Sequence, residues 1–198
     1  MMIRKYVWIP LLLASLIVSN SISIAISDFS IFDKLSEVFS FPEPKLVYAK
    51  KDYYVEEENV EKLRENVYLL INAVRMNNSV GKLERDEKLE LAAQRHAEDM
   101  IERNYLSHYS PEGESVFERL KEVGYNYYVA GENIFEADRL QYLDPINMSK
   151  VVVNGWMESK KHKENLLHPA YEEIGIGVAY DEAKKRLVVV ADFGSELK

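Results

Sequence analysis

One carboxylate stands inside an apolar, strand-like run, and its position directs the search for chemistry in this chain. The residue is Glu132, within residues 129–135. A charge in an apolar environment requires partners, because leaving it unpaired is costly. Two histidines flank it along the chain, His108 before it and His162 after it, each in a short polar stretch beside a helical pattern. These three residues are the predicted site.

Two imidazoles and one carboxylate suit a divalent cation such as zinc, with positions left for water or a ligand. A bound metal would lower the pKa of a water molecule and generate a hydroxide nucleophile, with Glu132 as ligand or base. The other interpretation is a hydrogen-bonded polar cluster without a metal. Both stay open, because the three residues lie in separate segments and no spacing fixes their convergence.

Composition excludes several other kinds of site. The 198 residues include no cysteine, so a disulfide, a thiolate metal ligand and a cysteine nucleophile are all ruled out. A formal net charge of −8 argues against a nucleic-acid surface, which needs clustered Lys and Arg. No Gly-x-Ser-x-Gly elbow accompanies Ser107 or Ser159. A serine hydrolase is therefore not expected.

The chain is predicted to have three parts. Arg4 and Lys5 precede an apolar run, so residues 1–27 have the pattern of an export signal. Their charge-free stretch also approaches the ~20 residues of a spanning helix, which leaves two possibilities, a cleaved signal peptide and an N-terminal membrane anchor. Residues 28–55 are predicted as a linker and residues 56–198 as the folded domain. Either possibility places that domain outside the cell, secreted or on the surface.

Hydrophobic spacing predicts the elements of the domain. Helices are expected over residues 56–77, from the cap Asp86 to near residue 104, from the capping box Ser115 and Glu118, and from Pro145; strands are expected over residues 129–135, 174–180 and 187–193. The last two strands form a hairpin. This set predicts an α+β fold, a three-layer α/β/α sandwich with a small, central, mostly antiparallel sheet.

Three further residues, one histidine and two glycines, admit a structural interpretation. His96 lies on the apolar stripe of the second helix and is predicted to be a core residue. Gly175 and Gly177 interrupt a strand, which fits either close packing of a helix or close approach of a ligand.

Five short motifs occur in a fixed order. They are Leu106-Ser107-His108, Gly131-Glu132-Asn133-Ile134, Trp156-Met157-Glu158-Ser159, His162 with Asn165-Leu166-Leu167, and Ile-Gly-Ile-Gly-Val-Ala at residues 174–179. With these motifs the chain resembles the CAP superfamily of cysteine-rich secretory, antigen 5 and pathogenesis-related 1 proteins, and within it the prokaryotic SCP-like extracellular proteins. The resemblance implies an α/β/α sandwich, an extracellular location and a cleft lined by two histidines and two glutamates.

Matching motif to motif places His108, Glu132 and His162 in that cleft. Ser159 stands three residues after Trp156, where the second glutamate of the family is usual, and Asn133 and Ser159 are predicted to support the cleft. The predicted function is a secreted or surface-tethered module that binds a cell-envelope ligand, a lipid or a glycan, or an extracellular partner. The alternative is a metal-dependent hydrolase that uses a metal-bound water in the same cleft.

Overall fold

The computed structural model describes residues 57–138 and 144–197. Within these ranges the chain forms five helices and four strands. The elements are α1 (Glu57–Asn77), β1 (Glu84–Arg85), α2 (Glu87–Glu102), α3 (Val116–Glu122), β2 (Tyr127–Ala137), α4 (Pro145–Glu158), α5 (Lys160–Leu166), β3 (Glu173–Asp181) and β4 (Arg186–Glu196).

Side-chain caps begin two of the helices where the sequence predicts. The Asp86 side chain accepts hydrogen bonds from the backbone N–H groups of Lys88 and Leu89 at the start of α2. Ser115 and Glu118 form the reciprocal capping box at the start of α3. Both caps satisfy backbone donors that have no partner inside the helix. They fix the two helices between which the His108 segment runs.

The four strands form one sheet in the order β1-β3-β4-β2. The β3–β4 and β4–β2 pairs are antiparallel, and β1 runs parallel to β3. The predicted α+β fold with a mostly antiparallel sheet is confirmed. Strand β1 was not predicted, because two exposed charged residues carry no alternating pattern. Since β2 ends the sheet, its outer edge is available to side chains from other elements.

Helices cover both faces of the sheet. The odd-numbered residues from 187 to 193 on β4 pack with residues of α1 and α4, whereas Val188 and Val190 pack against α2. This alternation produces the three layers of the predicted sandwich. It also places Asp192 and its register partner Glu132 on the α2 side, and Asn133 on the opposite side.

Two glycines allow α2 to lie directly on β3. A Cβ atom at Gly175 would lie 2.0 Å from the backbone nitrogen of Glu90, and one at Gly177 would lie 2.3 Å from the backbone of Ala93. Because the obstructing atoms belong to a helix backbone, they cannot move aside locally. Close packing of a helix therefore explains both glycines.

The predicted signal peptide or anchor at residues 1–27 and the predicted linker at residues 28–55 lie outside the described residues. In the part of the chain that is described, no helix combines the length and the apolar character that crossing a bilayer requires.

Candidate functional site

His108 lies between α2 and α3 and contacts Glu132 of β2. Its Nδ1 atom is 2.7 Å from Oε1 of the glutamate. The glutamate side chain is 2% exposed, and the imidazole is 52% exposed. A carboxylate accepts hydrogen bonds and cannot donate them, so Nδ1 carries the proton of this contact. Nε2 is therefore the ring nitrogen that is left to contact a ligand.

Arg119 of α3 holds the other oxygen of Glu132. Its Nη2 donates to Oε2 at 2.6 Å, and both side chains are buried. Its Nη1 donates to the backbone carbonyls of His108 at 3.3 Å and Glu114 at 3.0 Å. Arg119 therefore balances the charge of Glu132 and fixes the His108 segment with the same guanidinium group.

Arg119 was not among the predicted site residues, although a signal was present. Val116, Arg119 and Leu120 share the buried face of the short helix α3. A cation on an apolar stripe must find an acceptor inside the fold, because a buried unpaired charge is strongly destabilising. The reasoning that singled out Glu132, a charge in an apolar environment, would also have singled out Arg119 and predicted an ion pair between the two.

His96 is buried on α2, as predicted for a core residue. Its Nε2 donates to the backbone carbonyl of Ser107 at 2.9 Å and lies 3.8 Å from Oε2 of Glu132. Burial lowers the pKa of His96, and the opposing effect of the Glu132 charge does not cancel it. A neutral His96 therefore supports the residue that precedes His108 without adding a second cation to the cluster.

Two asparagines join β2 to α5 on the opposite face of the sheet. Nδ2 of Asn133 donates to the backbone carbonyl of His162 at 3.0 Å. Nδ2 of Asn165 donates to the backbone carbonyl of Glu132 at 3.0 Å and to Oδ1 of Asn133 at 2.9 Å. By these contacts Asn133 fixes the helix that carries His162. Asn165 was noted in the sequence as part of a motif, without a role.

Side chains also cover the outer edge of β2. Besides the contact of Asn165 with Glu132, the Trp156 indole Nε1 donates to the backbone carbonyl of Ile134 at 3.1 Å. Carbonyls at a sheet edge otherwise offer pairing positions to a further strand. The middle of this edge is thereby engaged by α4 and α5.

His162 lies within α5, and not in a polar stretch beside a helix as predicted. Burial lowers the pKa of His162, and the nearby His108 lowers it further. Among the described residues, no hydrogen bond or ion pair joins His162 to Glu132. Glu132 and His162 therefore make no direct polar contact in the described part of the chain. The carboxylate of Glu132 faces α2 and α3, and His108 alone of the two histidines reaches it.

Ser159 lies at the junction of α4 and α5. It is half-buried, and its side chain makes no capping hydrogen bond to α5. Glu158 is exposed at the last turn of α4. The supporting role assigned to Ser159 stays a prediction.

The donors at this site do not fit a three-ligand metal centre. Both oxygens of Glu132 are engaged, one by His108 and the other by Arg119. The guanidinium charge would oppose a metal cation at the same carboxylate. Within residues 57–138 and 144–197, no group of three or more His, Asp or Glu side chains is arranged to hold a metal ion. The predicted metal set of His108, Glu132 and His162 finds no support in this geometry.

A pocket of about 160 Å³ lies behind the cluster, between α2 and α3. His96 and Arg119 contribute to its lining, but His108, Glu132 and His162 do not. Sites for drug-sized ligands usually enclose roughly 300–1,000 Å³, so this pocket is small for such a ligand. His108, which is half exposed, and His162, which is partly exposed, are the better candidates for contact with a ligand.

Comparison with known proteins agrees with this architecture. Residues 68–193, more than half of the chain, match the profile of the Cysteine-rich secretory protein family. Two Bacillus subtilis (strain 168) proteins are similar in sequence. The uncharacterized protein YkwD is 34% identical over 119 residues, covering 60% of this chain and 43% of YkwD. The uncharacterized membrane protein YlbC is 37% identical over 109 residues, covering 55% of this chain and 29% of YlbC. The match thus spans less than half the length of either relative.

Solved structures show the same fold. An extracellular protein containing a SCP domain from Bacillus anthracis superposes with a TM-score of 0.58 at 26% identity, covering 69% of this chain and 41% of that one. An outer surface protein from Borrelia burgdorferi superposes with a TM-score of 0.59 at 22% identity, covering 71% of this chain and 95% of that one.

Proposed function

This chain belongs to the cysteine-rich secretory protein family, and from that premise we propose that it is a secreted or surface-held module that binds a cell-envelope glycan. The proposed contact surface consists of His108, His162 and the flanking residues Leu106 and Tyr109; we call it the His108–His162 surface. The location follows the similarity to the Bacillus anthracis extracellular protein and the predicted export segment.

The fixed but exposed imidazole of His108 is the observation that carries the proposal. Half of this ring is open to solvent, yet a buried carboxylate and a buried guanidinium determine its orientation. Burying a carboxylate is costly, and a surface histidine does not need such support for stability alone. Support of this kind is what preorganises a binding group.

The chemistry of the surface favours uncharged hydroxyl groups. With Nδ1 donating to Glu132, Nε2 of a neutral His108 accepts a hydrogen bond. The lowered pKa of His162 keeps that ring neutral, with one donor and one acceptor. The exposed side chains of Leu106 and Tyr109, close to His108 in the chain, add apolar area to the surface. Sugar hydroxyls on a ring with apolar faces match this combination.

A phospholipid surface is a poorer match. The formal net charge of −8 repels the anionic headgroups that attract peripheral proteins through clusters of Lys and Arg. The metal-dependent hydrolase alternative gains no support either, because Arg119 occupies the carboxylate that a metal would need. A glycan is therefore the ligand class that we propose.

The test measures retention of the full-length protein on sedimented, insoluble cell-wall glycan. His108→Ala is expected to weaken retention about tenfold, because it removes one hydrogen bond and the contact area of a ring. Its melting temperature should fall modestly, because Oε1 of the buried Glu132 loses its donor while Arg119 still holds Oε2. Tyr128→Ala, which removes an exposed ring on β2 outside this surface, is the control and should leave retention unchanged. Equal retention of His108→Ala and wild type, or binding to phospholipid vesicles in place of glycan, would contradict the proposal.

A further inference from the structure

Asp192 is a buried acid without a hydrogen-bond donor. It lies on β4, the central strand between β2 and β3, and is 0% exposed. Neither carboxyl oxygen meets a donor group among the described residues. An ionised carboxylate in this position would lose its hydration without any compensating contact, so the charge state of Asp192 requires an explanation.

The neighbouring elements supply no cation to Asp192. On β2 its register partner is Glu132, a second acid, and on β3 its partner is Gly175, which has no side chain. Arg119 of α3 already donates to Glu132, and His96 of α2 is held neutral against the backbone of Ser107. Two carboxyl groups therefore share the environment of one guanidinium.

We propose that Asp192 is protonated in the folded protein and donates its proton to Glu132, so that the two acids carry one negative charge between them. Glu132 is then the anion that Arg119 and His108 contact, and Asp192 is its buried donor. Two ionised carboxylates accept only, so a hydrogen bond between them requires this proton. Burial first, and the charge of Glu132 second, raise the pKa of Asp192 well above its ordinary 3.8.

This proton makes the stability of the fold fall as the pH rises above the ordinary pKa of an aspartate. Above pH 3.8 the unfolded chain releases the proton, while the folded chain keeps it until the pH reaches the raised pKa of Asp192. Within that window the unfolded state binds fewer protons, so stability falls as pH rises. Loss of the proton leaves two adjacent buried anions beneath the His108–His162 surface. The effect concerns the fold itself and does not depend on the glycan proposal.

The test compares thermal melting of full-length wild type and Asp192→Asn between about pH 4.5 and pH 6.5. Asparagine has the size of a neutral acid and donates an N–H to Glu132, but it cannot ionise. The variant should melt above wild type by a margin that grows about 5 °C per pH unit across the window. Every other ionisable side chain is present in both proteins, so the difference isolates Asp192. Asp138→Asn, at an exposed position, should show a margin that does not change with pH.

A margin that stays constant for Asp192→Asn, or a variant that melts below wild type at every pH, would overturn the proposal. A second measurement on the wild type alone covers the case in which the variant fails to fold. In protein labelled with ¹³C at the aspartate carboxyl carbons, one resonance should keep its protonated position at about pH 6, where ordinary aspartates are ionised. Ionised positions for all the resonances at that pH would overturn the proposal equally.

Discussion

Arg119→Met is expected to lower the free energy of unfolding by about 3–5 kcal/mol, or about 10–15 °C in melting temperature. The substitution leaves the buried carboxylate of Glu132 without its cation and releases the carbonyls of His108 and Glu114. Methionine keeps the apolar stem, so the loss reports the guanidinium group more than the packing. Thermal or urea unfolding of the full-length protein measures it.

Arg103→Met is the matched control. Arg103 also donates to a glutamate at 2.6 Å, but Glu112 and Arg103 are both at the surface. Surface pairs of this kind contribute little, because solvent screens them, so the control should melt near wild type. Arg119→Met with Glu132→Gln should be less destabilised than Arg119→Met alone, since the double variant buries no unpaired charge. Equal melting of the two single arginine variants would show that the Arg119–Glu132 contact is not buried as described.

Arg75→Met is expected to cost about 4 kcal/mol or more. Arg75 of α1 is 0% exposed and donates to four backbone carbonyls: those of Gly81 at 2.7 Å, Leu166 at 2.9 Å, His168 at 3.1 Å and Tyr171 at 3.1 Å. Three of these acceptors lie at the end of α5 or just beyond it. Because buried carbonyls without donors are costly, the variant should have a lower melting temperature than wild type. In the variant, the amide hydrogens of α5 should exchange faster than those of α2.

Two further substitutions, a conservative replacement of Arg75 and a surface control, test this prediction. Arg75→Lys should recover part of the loss, because an ammonium group has three donors and cannot span four separate carbonyls. Arg85→Met removes a partly exposed arginine that pairs with Glu65, and it should change the melting temperature much less. A melting temperature for Arg75→Met close to that of Arg85→Met would mean that these carbonyls find other donors.

The layers of the fold could be predicted because their signals are local. The period of α1, the cap at Asp86 and the box of Ser115 with Glu118 each depend on residues a few positions apart. The hairpin of β3 and β4 likewise follows from two apolar runs around a charged turn. Strand β1 was not predicted, because its two residues pair with a strand almost ninety positions away along the chain.

The site could be predicted in part. The Gly-Glu-Asn motif predicted the correct strand, and in the structure each of its three residues has a separate role. Gly131 leaves room for Tyr171, whose hydroxyl would lie 2.3 Å from a Cβ atom there. Glu132 and Asn133 are adjacent in a strand and so point to opposite faces, towards Arg119 and towards α5. From that alternation alone, one could have predicted that the Glu132 side chain points away from α5, the helix that carries His162.

The acid opposite Glu132 could not be assigned from the sequence. Asp192 is also an acidic residue within an apolar strand, the same signal that singled out Glu132. What places the two acids opposite each other is the register of β2 against β4, which is set by the packing of the whole sheet. Register between distant strands has no local signature, so the contact had to come from the structure.

The tautomer of His108 tests the central claim, that Glu132 orients an exposed imidazole for binding. In ¹⁵N-labelled full-length protein, at a pH where the ring is neutral, Nδ1 of His108 should carry the proton and Nε2 should not. His168 provides the opposite reference within the same spectrum, because its Nδ1 accepts a hydrogen bond from the backbone of Ala170 and its proton must lie on Nε2. A proton on Nε2 of His108 would contradict the claim, since Glu132 would then not hold the ring.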